Sequence, residues 1–382
     1  MTNNEDTVPV PLNLLNEEQL IILASHLKDW AAELGFNQCG ITDIHLEDHG
    51  KRLQAWLANG FHGDMHYMAQ HGHKRFTPAE LVPGTIRVIS LRMDYWPESA
   101  TEADYVLADP TLAFVSRYTL GRDYHKLLRK RLASLVKRLT ATVSGSQYRV
   151  FTDSAPVMER ALAEKAGLGW IGKNTMLINP KAGSFFFLGE IYTNLPLPVD
   201  PPFADEHCGT CRQCLDLCPT RAFVGPYVLD SRRCISYLTI ELKGDIPEEL
   251  RPLLGNRIFG CDDCQLVCPW NKFVRGSDES DFSSRHQLDQ QQLISLFEWS
   301  EEKFLTKTAG SAIRRTGYVG WLRNIAVAIG NGPASETAIS ALALRESFPS
   351  PIVQNHVRWA LMRLKARGKE NSNGHLINTR NI

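Results

Sequence analysis

Two cysteine-rich stretches decide how the second half of this 382-residue chain folds: Cys208-Gly-Thr-Cys211-Arg-Gln-Cys214-Leu-Asp-Leu-Cys218-Pro219 and Cys261-Asp-Asp-Cys264-Gln-Leu-Val-Cys268-Pro269. The first has the C-x2-C-x2-C-x3-C-P spacing of bacterial ferredoxins, and the second is a shortened copy. In such a run three closely spaced thiolates bind one [4Fe–4S] cluster, and the last cysteine binds the other cluster. The spacing therefore predicts two [4Fe–4S] clusters.

Two such clusters need eight thiolates, and the two runs contain seven of the nine cysteines. Cys234 joins the set by elimination, and Cys39 is left over far upstream. The predicted ligands are Cys208, Cys211, Cys214 and Cys268 for cluster one, and Cys218, Cys234, Cys261 and Cys264 for cluster two. Zinc and disulfides are the alternatives. Zinc sites prefer paired C-x2-C units, and a disulfide framework needs a secretory context that is not visible here.

Length and charge set further bounds. The chain is long enough for two or three domains. It contains 42 basic and 42 acidic residues, so a globally basic nucleic-acid binder is not indicated, although a local basic patch remains possible. The polar N-terminus has no signal-peptide pattern, and no stretch approaches the roughly 20 apolar residues of a membrane span. We therefore expect a cytoplasmic protein with no membrane partner.

The pattern along the chain predicts an α+β protein in several parts. Apolar periodicity predicts a helix from Leu20 to Leu34 that stops at Gly35. Strands are predicted at 86–91, 148–152 and 184–193, and helices at 124–140, from Asp153–Pro156 to about 166, and at 318–329, 334–347 and 352–365. The expected units are a polar arm (1–16), a mixed domain (17–200), the cysteine module (201–275), a polar linker (275–292) and a helical region (290–382). Similar stretches at Leu322-Arg323 and Val357-Arg358 suggest a helical repeat.

Three further motifs complete the pattern: Gly121-Arg-Asp-Tyr-His125, Asp153-Ser-Ala-Pro156 with Glu159-Arg160, and Gly169-Trp-Ile-Gly-Lys-Asn174. Together with the run Ser184–Glu190, the cysteine module and the tail Ala312–Asn331, they resemble the epoxyqueuosine reductase family. The resemblance covers nearly the whole chain beyond the first dozen residues. Each motif alone is weak, but their order and combination are specific.

The resemblance implies a nitroreductase-like domain that binds cobalamin, a ferredoxin-like two-cluster module and a HEAT-like helical region that helps to hold tRNA. The implied reaction reduces epoxyqueuosine to queuosine at the wobble position of tRNA and releases the epoxide oxygen as water. A monomer that accepts electrons from an external low-potential donor is expected. The family holds cobalamin without a protein histidine on cobalt. In agreement, the D-x-H-x-x-G motif that begins at Asp43 and His45 is broken at Asp48.

The resemblance also assigns site residues. Asp153 matches the family's proton donor, and its pKa would have to be raised by burial for it to hold a proton at neutral pH. The alternative is that Asp153 only starts the helix before Pro156. The predicted cofactor contacts include Arg75, Ser116, Tyr118 and Asp153, which match family positions. Lys173 and Asn174 are added because they follow a glycine-rich turn, and Ser236, Thr239, Cys261 and Asp262 because they lie at or beside the cluster-two cysteines in sequence. For Lys173 and Asn174, a surface lysine and a turn asparagine are the alternatives.

Basic residues fall in two clusters. One predicted helix carries Lys126, Arg129, Lys130, Arg131, Lys137 and Arg138, and the C-terminal part carries the predicted tRNA-binding residues Arg314, Arg315 and Arg323. Uneven charge in a neutral protein suits contacts with the backbone of a folded RNA. Solvated surface faces are the alternative.

Two other functions remain open at this stage. A reductive dehalogenase shares the layout of a cobalamin domain and a double ferredoxin module, but it typically carries a twin-arginine signal and would not need the C-terminal helices. A plain electron carrier would not need about 200 residues before the clusters.

Overall fold

The computed structural model of the protein describes residues 9–203 and 206–377, with side chains as far as residue 368. The helices are α1 (Glu17–Glu33), α2 (Glu47–Ala58), α3 (Pro78–Leu81), α4 (Ala103–Ala108), α5 (Tyr124–Thr142), α6 (Glu159–Lys165), α7 (Gln213–Asp216), α8 (Ile235–Ile240), α9 (Asp263–Leu266), α10 (Leu293–Phe297), α11 (Glu301–Lys307), α12 (Gly317–Asn331), α13 (Glu336–Ala343) and α14 (Pro351–Ile377). The strands are β1 (Val10–Pro11), β2 (Gln38–Thr42), β3 (Arg87–Asp94), β4 (Phe114–Val115), β5 (Val143–Ser144), β6 (Tyr148–Phe151), β7 (Trp170–Ile171), β8 (Leu177–Ile178), β9 (Phe186–Thr193), β10 (Phe223–Gly225), β11 (Val228–Leu229) and β12 (Arg257–Phe259).

A four-stranded antiparallel sheet organises the first domain, in the order β2-β3-β9-β6. Helices α1 and α5 cover one face and bury Leu27, Leu128 and Leu132 against Ile89 and Ile191. Helix α6 packs on the other face through Ala161 and Leu162. Strands β3 and β9 are therefore buried on both faces, which explains why they read as continuous apolar runs rather than as alternating patterns.

Most of the predicted elements of this domain are confirmed. Helix α1 begins at a capping box, in which the side chain of Asn16 accepts from the Gln19 N–H at 2.9 Å, and it ends before Gly35, whose φ is +82°. Strand β2 and helix α2 were not predicted. The helix expected from Asp153–Pro156 begins instead at Glu159, and the residues before it form an irregular loop.

A second core unites the C-terminal helices with parts of the earlier chain. Helix α12 lies at its centre, where Trp321, Leu322 and Ile325 are fully buried. The same core takes in helix α8 and the parallel pair β4–β12, so a segment before residue 120 packs with residues beyond 230. The cysteine module thus lies between two cores.

The remaining expectations have mixed outcomes. Mixed helix and strand content confirms the α+β class, whereas the nitroreductase-like and HEAT-like descriptions and the unit boundaries stay predictions. Residues 1–8 of the predicted arm and the last five residues of the helical region lie outside the described part. Within the described part, Val10 and Pro11 form strand β1, which pairs in parallel with strand β5. No helix among the described residues is long and apolar enough to cross a membrane.

Candidate active site and cluster sites

The four cysteines predicted at cluster one surround a cavity of about 340 Å³. Burial and the neighbouring thiolates of Cys268, Cys208 and Cys211 raise the pKa of the Cys214 thiol to about 11. The other three cysteines therefore lie within electrostatic range of Cys214. Cys211 is exposed, so this cavity opens at the surface.

The cysteines predicted at cluster two also come together, deeper in the protein. Burial and then the charges of nearby groups raise the pKa of the Cys264 thiol, and Cys234 and Cys218 are among those groups. Cys234 is likewise within electrostatic range of Cys261 and Cys218. Cys264 is also near Cys214, so the two sets adjoin.

The donor chemistry of both sets fits iron–sulfur clusters. In the described residues no group of three or more His, Cys, Asp or Glu side chains is arranged to hold a metal ion. A cubane separates its four thiolates more widely than one ion does, because each thiolate binds a different iron. The individual ligand assignments stay predictions.

Cys39 lies away from both sets, on strand β2. Burial raises the pKa of its thiol to about 12, so the side chain is a neutral thiol in the core of the sheet domain. It packs against the apolar core between the sheet and helices α1 and α5.

Asp153 follows strand β6 in a left-handed backbone conformation, with φ of +53°. Its carboxylate accepts hydrogen bonds from the Tyr124 hydroxyl at 2.6 Å and from His125 Nε2 at 3.2 Å. It caps no helix, so the alternative that it only opens the following helix is wrong.

The protonation state of Asp153 differs from the prediction. Burial alone would raise the pKa of the carboxyl, but the hydrogen bonds from His125 and Tyr124 outweigh burial and hold the pKa below its usual range. Asp153 is therefore ionised at neutral pH. The expected raised pKa is wrong because it left out these two donors, which lie 28 and 29 residues upstream.

His125 carries the proton instead. Burial would lower the pKa of its imidazole, but hydrogen bonds to Asp123 and Asp153 raise it to about 9. Nδ1 lies 2.6 Å from Asp123, which also caps helix α5, and the ring stacks on Tyr124. The sequence analysis includes His125 in the Gly121–His125 motif without a predicted role. Its position two residues after the helix-capping Asp123 was the sequence feature that could have indicated one.

Two carboxyl groups, half-buried Glu159 and buried Glu190, lie next to the Asp153 loop. The Glu159 carboxylate accepts a hydrogen bond from the Asp153 N–H. Burial and the charge of Asp153 raise the pKa of Glu159 to about 7. Glu190 is fully buried beside it, and burial together with Glu159 raises the Glu190 pKa well above its usual value. Burial therefore favours the neutral form of Glu190. Both residues were missed as parts of the site.

The side chain of Asp153 is 45% exposed although protein surrounds it, and we call the opening in front of it the Asp153 cleft. Tyr67, Tyr118 and Arg315 all lie within electrostatic range of its carboxylate. Tyr118 also lies within range of Asp262, the neighbour of two cluster-two cysteines. The cleft therefore adjoins cluster two on one side and the C-terminal helices on the other.

Most of the polar groups predicted to contact a cofactor are already engaged by the protein. Arg75 is buried and donates to the Met68 carbonyl at 2.9 Å and the Tyr67 carbonyl at 2.5 Å. Lys173 donates to the carbonyls of Gly209 and Cys211 in the cluster-one loop.

The predicted cofactor-contact residues near cluster two are also hydrogen-bonded within the protein. Asn174 donates to the Cys264 carbonyl at 3.0 Å, and Ser116 donates to buried Asp262 at 2.5 Å. Thr239 is fully buried and donates to the Ile235 carbonyl. These six residues hold the cluster loops and the walls of the cleft in place, and their assignment as cofactor contacts stays a prediction. Half-buried Ser236, Tyr118 and Cys261 stay predictions, as does Asp153.

The three arginines predicted to bind tRNA differ in their exposure to solvent. Arg314 and Arg315 are exposed, and Arg315 faces both Glu241, at 3.5 Å, and the Asp153 cleft. Arg323 is only 1% exposed and donates to the carbonyls of Leu238, Leu242 and Gly244. The prediction for Arg323 is wrong, because its face of α12 lies inside the second core.

The paired cysteine sets and the adjoining acid–base cleft define the class: this is an iron–sulfur oxidoreductase. Residues 207–271 match the family described as "4Fe-4S double cluster binding domain", and residues 75–154 match "Epoxyqueuosine reductase QueG, DUF1730". The chain is 62% identical over 341 residues to the epoxyqueuosine reductase of Pseudomonas aeruginosa, which covers 89% of this chain and 94% of that protein. The chain belongs to the epoxyqueuosine reductase family, so the predicted family is confirmed.

Further relatives agree. The Escherichia coli K12 epoxyqueuosine reductase is 56% identical over 339 residues, covering 89% of each chain. A solved epoxyqueuosine reductase with an epoxyqueuosine-modified tRNA-Tyr stem loop superposes with a TM-score of 0.83 at 29% identity, covering 91% of each chain. A Bacillus subtilis epoxyqueuosine reductase, solved with its catalytic aspartate loop swung out of the active site, gives 0.82 at 29% identity and the same coverage.

Proposed function

We propose that the protein reduces epoxyqueuosine to queuosine in tRNA, with electrons that pass through two [4Fe–4S] clusters to a cobalamin and a proton that comes from the Asp153–His125 pair. The reaction consumes two electrons and two protons, and it leaves an alkene and water. The observation that carries the proposal is that the Asp153 cleft adjoins cluster two through Tyr118 and Asp262. Neither a dehalogenase nor an electron carrier is favoured by the relatives.

The electron path follows from the exposure of the two cysteine sets. Cys211 is exposed and Cys264 lies near both Cys214 and Cys234. An external low-potential donor would therefore reduce cluster one at the surface, and cluster one would reduce cluster two. Cluster two lies on the cleft side.

The walls of the cleft carry polar groups that support the proposal of a large polar cofactor. Tyr67, Tyr118 and Arg315 are surrounded by protein yet remain open to the cleft, and they offer hydroxyl and guanidinium groups to amide side chains. Cobalamin supplies the low-potential centre that links one-electron carriers to a two-electron reduction. Tyr118 and Asp153 would border it, with Asp262 behind Tyr118.

Proton delivery belongs to this chain's own residues. Asp153 is ionised, so it can deliver a proton only after it takes one from His125 Nε2, 3.2 Å away. Asp123 at Nδ1 keeps the imidazolium oriented, as a carboxylate does behind a catalytic histidine. This transfer supplies one of the two protons, and it ends with that proton on the departing oxygen and a neutral imidazole. Solvent supplies the second proton, which completes the water.

The proposed activity is tested with anaerobic enzyme that carries clusters and cobalamin, a chemical reductant and tRNA that contains epoxyqueuosine. Nucleosides from the digested tRNA are separated and identified by mass. Queuosine should accumulate, and omission of cobalamin should abolish it. Fully loaded enzyme that leaves epoxyqueuosine unchanged would refute the proposal.

A further inference from the structure

A second cavity, of about 230 Å³, lies behind the Asp153 loop. We call it the arginine pocket. Its lining comprises Arg129, Arg149, Val150, Phe151, Thr152, Ser154 and Ala155. Both arginines are exposed, and in the described part of the chain neither forms an ion pair with a carboxylate. The pocket thus presents two uncompensated guanidinium groups to an anion from outside.

Other cations of the same helix are neutralised within the protein. Arg138 pairs with Glu33 at 2.5 Å and Arg131 pairs with Glu279, and Arg122, just before the helix, pairs with Asp281 at 3.0 Å. The exposed residues Lys126, Lys130 and Lys137 have no such partner among the described residues. Helix α5 therefore carries two kinds of cations, one set that ties it to the fold and one set that faces solvent beside the arginine pocket.

A hydrogen bond connects the pocket to the loop that carries Asp153. Arg129 donates to the Ser154 hydroxyl at 2.5 Å, and Ser154 directly follows Asp153. The hydroxyl keeps its own O–H for an anion, and Arg129 keeps further N–H groups. The guanidinium carbon of Arg149 lies over the Phe151 ring, 5.7 Å from the ring centroid. These donors suit two-point recognition of a phosphate.

We propose that the arginine pocket binds a phosphodiester group of the RNA substrate, next to the nucleotide that reaches Asp153. This inference rests on the proposed function. The unpaired lysines extend the positive surface along α5, with Lys126 and Lys130 about 6 Å apart along the helix axis. A strand with several phosphates matches that line, whereas the single phosphate of a cofactor does not. Phosphate binding at Arg129 and Ser154 would fix the loop that carries Asp153 as the substrate enters.

The test compares R129Q, R149Q and the double variant with R138Q, which removes a paired cation of the same helix. Binding of an epoxyqueuosine-modified stem loop is measured by fluorescence anisotropy over a series of salt concentrations. The double variant should bind about tenfold or more weakly, with a slope of log affinity against log salt reduced by about 1. R138Q should match the parent.

Iron content, cluster absorption and the cobalamin dissociation constant should be unchanged in every variant. Parent-like stem-loop affinity and salt slope in the double variant would overturn the inference. Weaker cobalamin binding with normal RNA binding would overturn it too, because the phosphate would then belong to the cofactor. Both outcomes are separable from failure of the proposed function, since that failure would show as a parent enzyme that does not reduce epoxyqueuosine.

Discussion

The carboxylate of Glu159 accepts a hydrogen bond from the backbone N–H of Asp153, at a residue whose φ is +53°. A left-handed conformation is unfavourable for a residue with a side chain, by about 1–3 kcal/mol. The hydrogen bond offsets this cost, and neutral Glu190 lets Glu159 remain close without a second buried charge. Glu159 therefore positions the proton donor without touching the substrate.

This relationship gives the first prediction. Glu159→Ala should lower the single-turnover rate about tenfold, because one net hydrogen bond contributes about 0.5–1.5 kcal/mol. Glu159→Gln keeps an oxygen acceptor and should stay much closer to the parent. Cluster content should be normal in both. An alanine variant as fast as the glutamine variant would remove Glu159 from a positioning role.

The second prediction concerns Asp153 itself. Asp153→Asn removes the group that relays the proton but keeps the size of the side chain, so turnover should fall about 10²–10⁴-fold. Cluster content and cobalamin binding should persist. Single-turnover assays with chemically reduced enzyme separate this step from electron delivery. A rate within a few-fold of the parent would exclude Asp153 from proton transfer.

The third prediction is a pH dependence. Because the pKa of His125 is raised to about 9, the proton-carrying form persists at neutral pH and turnover should fall as pH rises through about 9. His125→Gln should lower turnover and remove this limb of the profile. In the unfolded chain a histidine titrates near 6.5, so the imidazolium's bonds to Asp123 and Asp153 stabilise the fold fully below about 6.5. That stabilisation is lost as pH rises through about 9. A parent profile that is flat to pH 10 would contradict the assignment.

Local sequence spacing was sufficient to predict which cysteines of a run lie together. Thiols two or three residues apart must lie close together, so the runs alone place Cys208, Cys211 and Cys214 around one cavity. The Asp153 site could not be found in the same way, because Tyr124 and His125 reach it across the fold. An Asp-Ser-Ala-Pro segment also looks like a helix start, and only the tertiary hydrogen bonds hold it in a loop.

The sequence was a poorer predictor of which arginines are exposed. Arg323 and Arg358 follow apolar residues in similar stretches, yet Arg323 is buried and Arg358 is exposed. The difference depends on which face of each helix meets the second core. Similarly, the cations of α5 look alike in sequence, and only their distances to Glu33 and Glu279 distinguish those that pair within the described part of the fold from those that do not.

The fourth prediction tests the cluster assignments. The parent should contain about eight irons and eight sulfides per chain, because two four-iron cubanes need them. Cys214→Ala should damage cluster one and leave part of cluster two. Cys39→Ala is the matched control and should keep the full content, since Cys39 is a neutral core thiol. Protein with one zinc and no sulfide would refute the assignment.

The last prediction separates two arginines that the sequence grouped together. Arg323→Gln leaves the buried carbonyl of Leu238 and the partly buried carbonyls of Leu242 and Gly244 without their donor. Because an unsatisfied buried group costs about 1–3 kcal/mol, the free energy of unfolding should fall by about 1–3 kcal/mol, as measured by urea denaturation. Arg315→Gln should leave stability nearly unchanged, because its side chain is 50% exposed, but should weaken stem-loop binding and flatten its salt dependence. Arg358→Gln, at an exposed position on α14, controls for loss of a surface charge and should change neither quantity. If Arg323→Gln were as stable as Arg358→Gln, the hydrogen bonds of Arg323 would not hold α12 to the chain around α8.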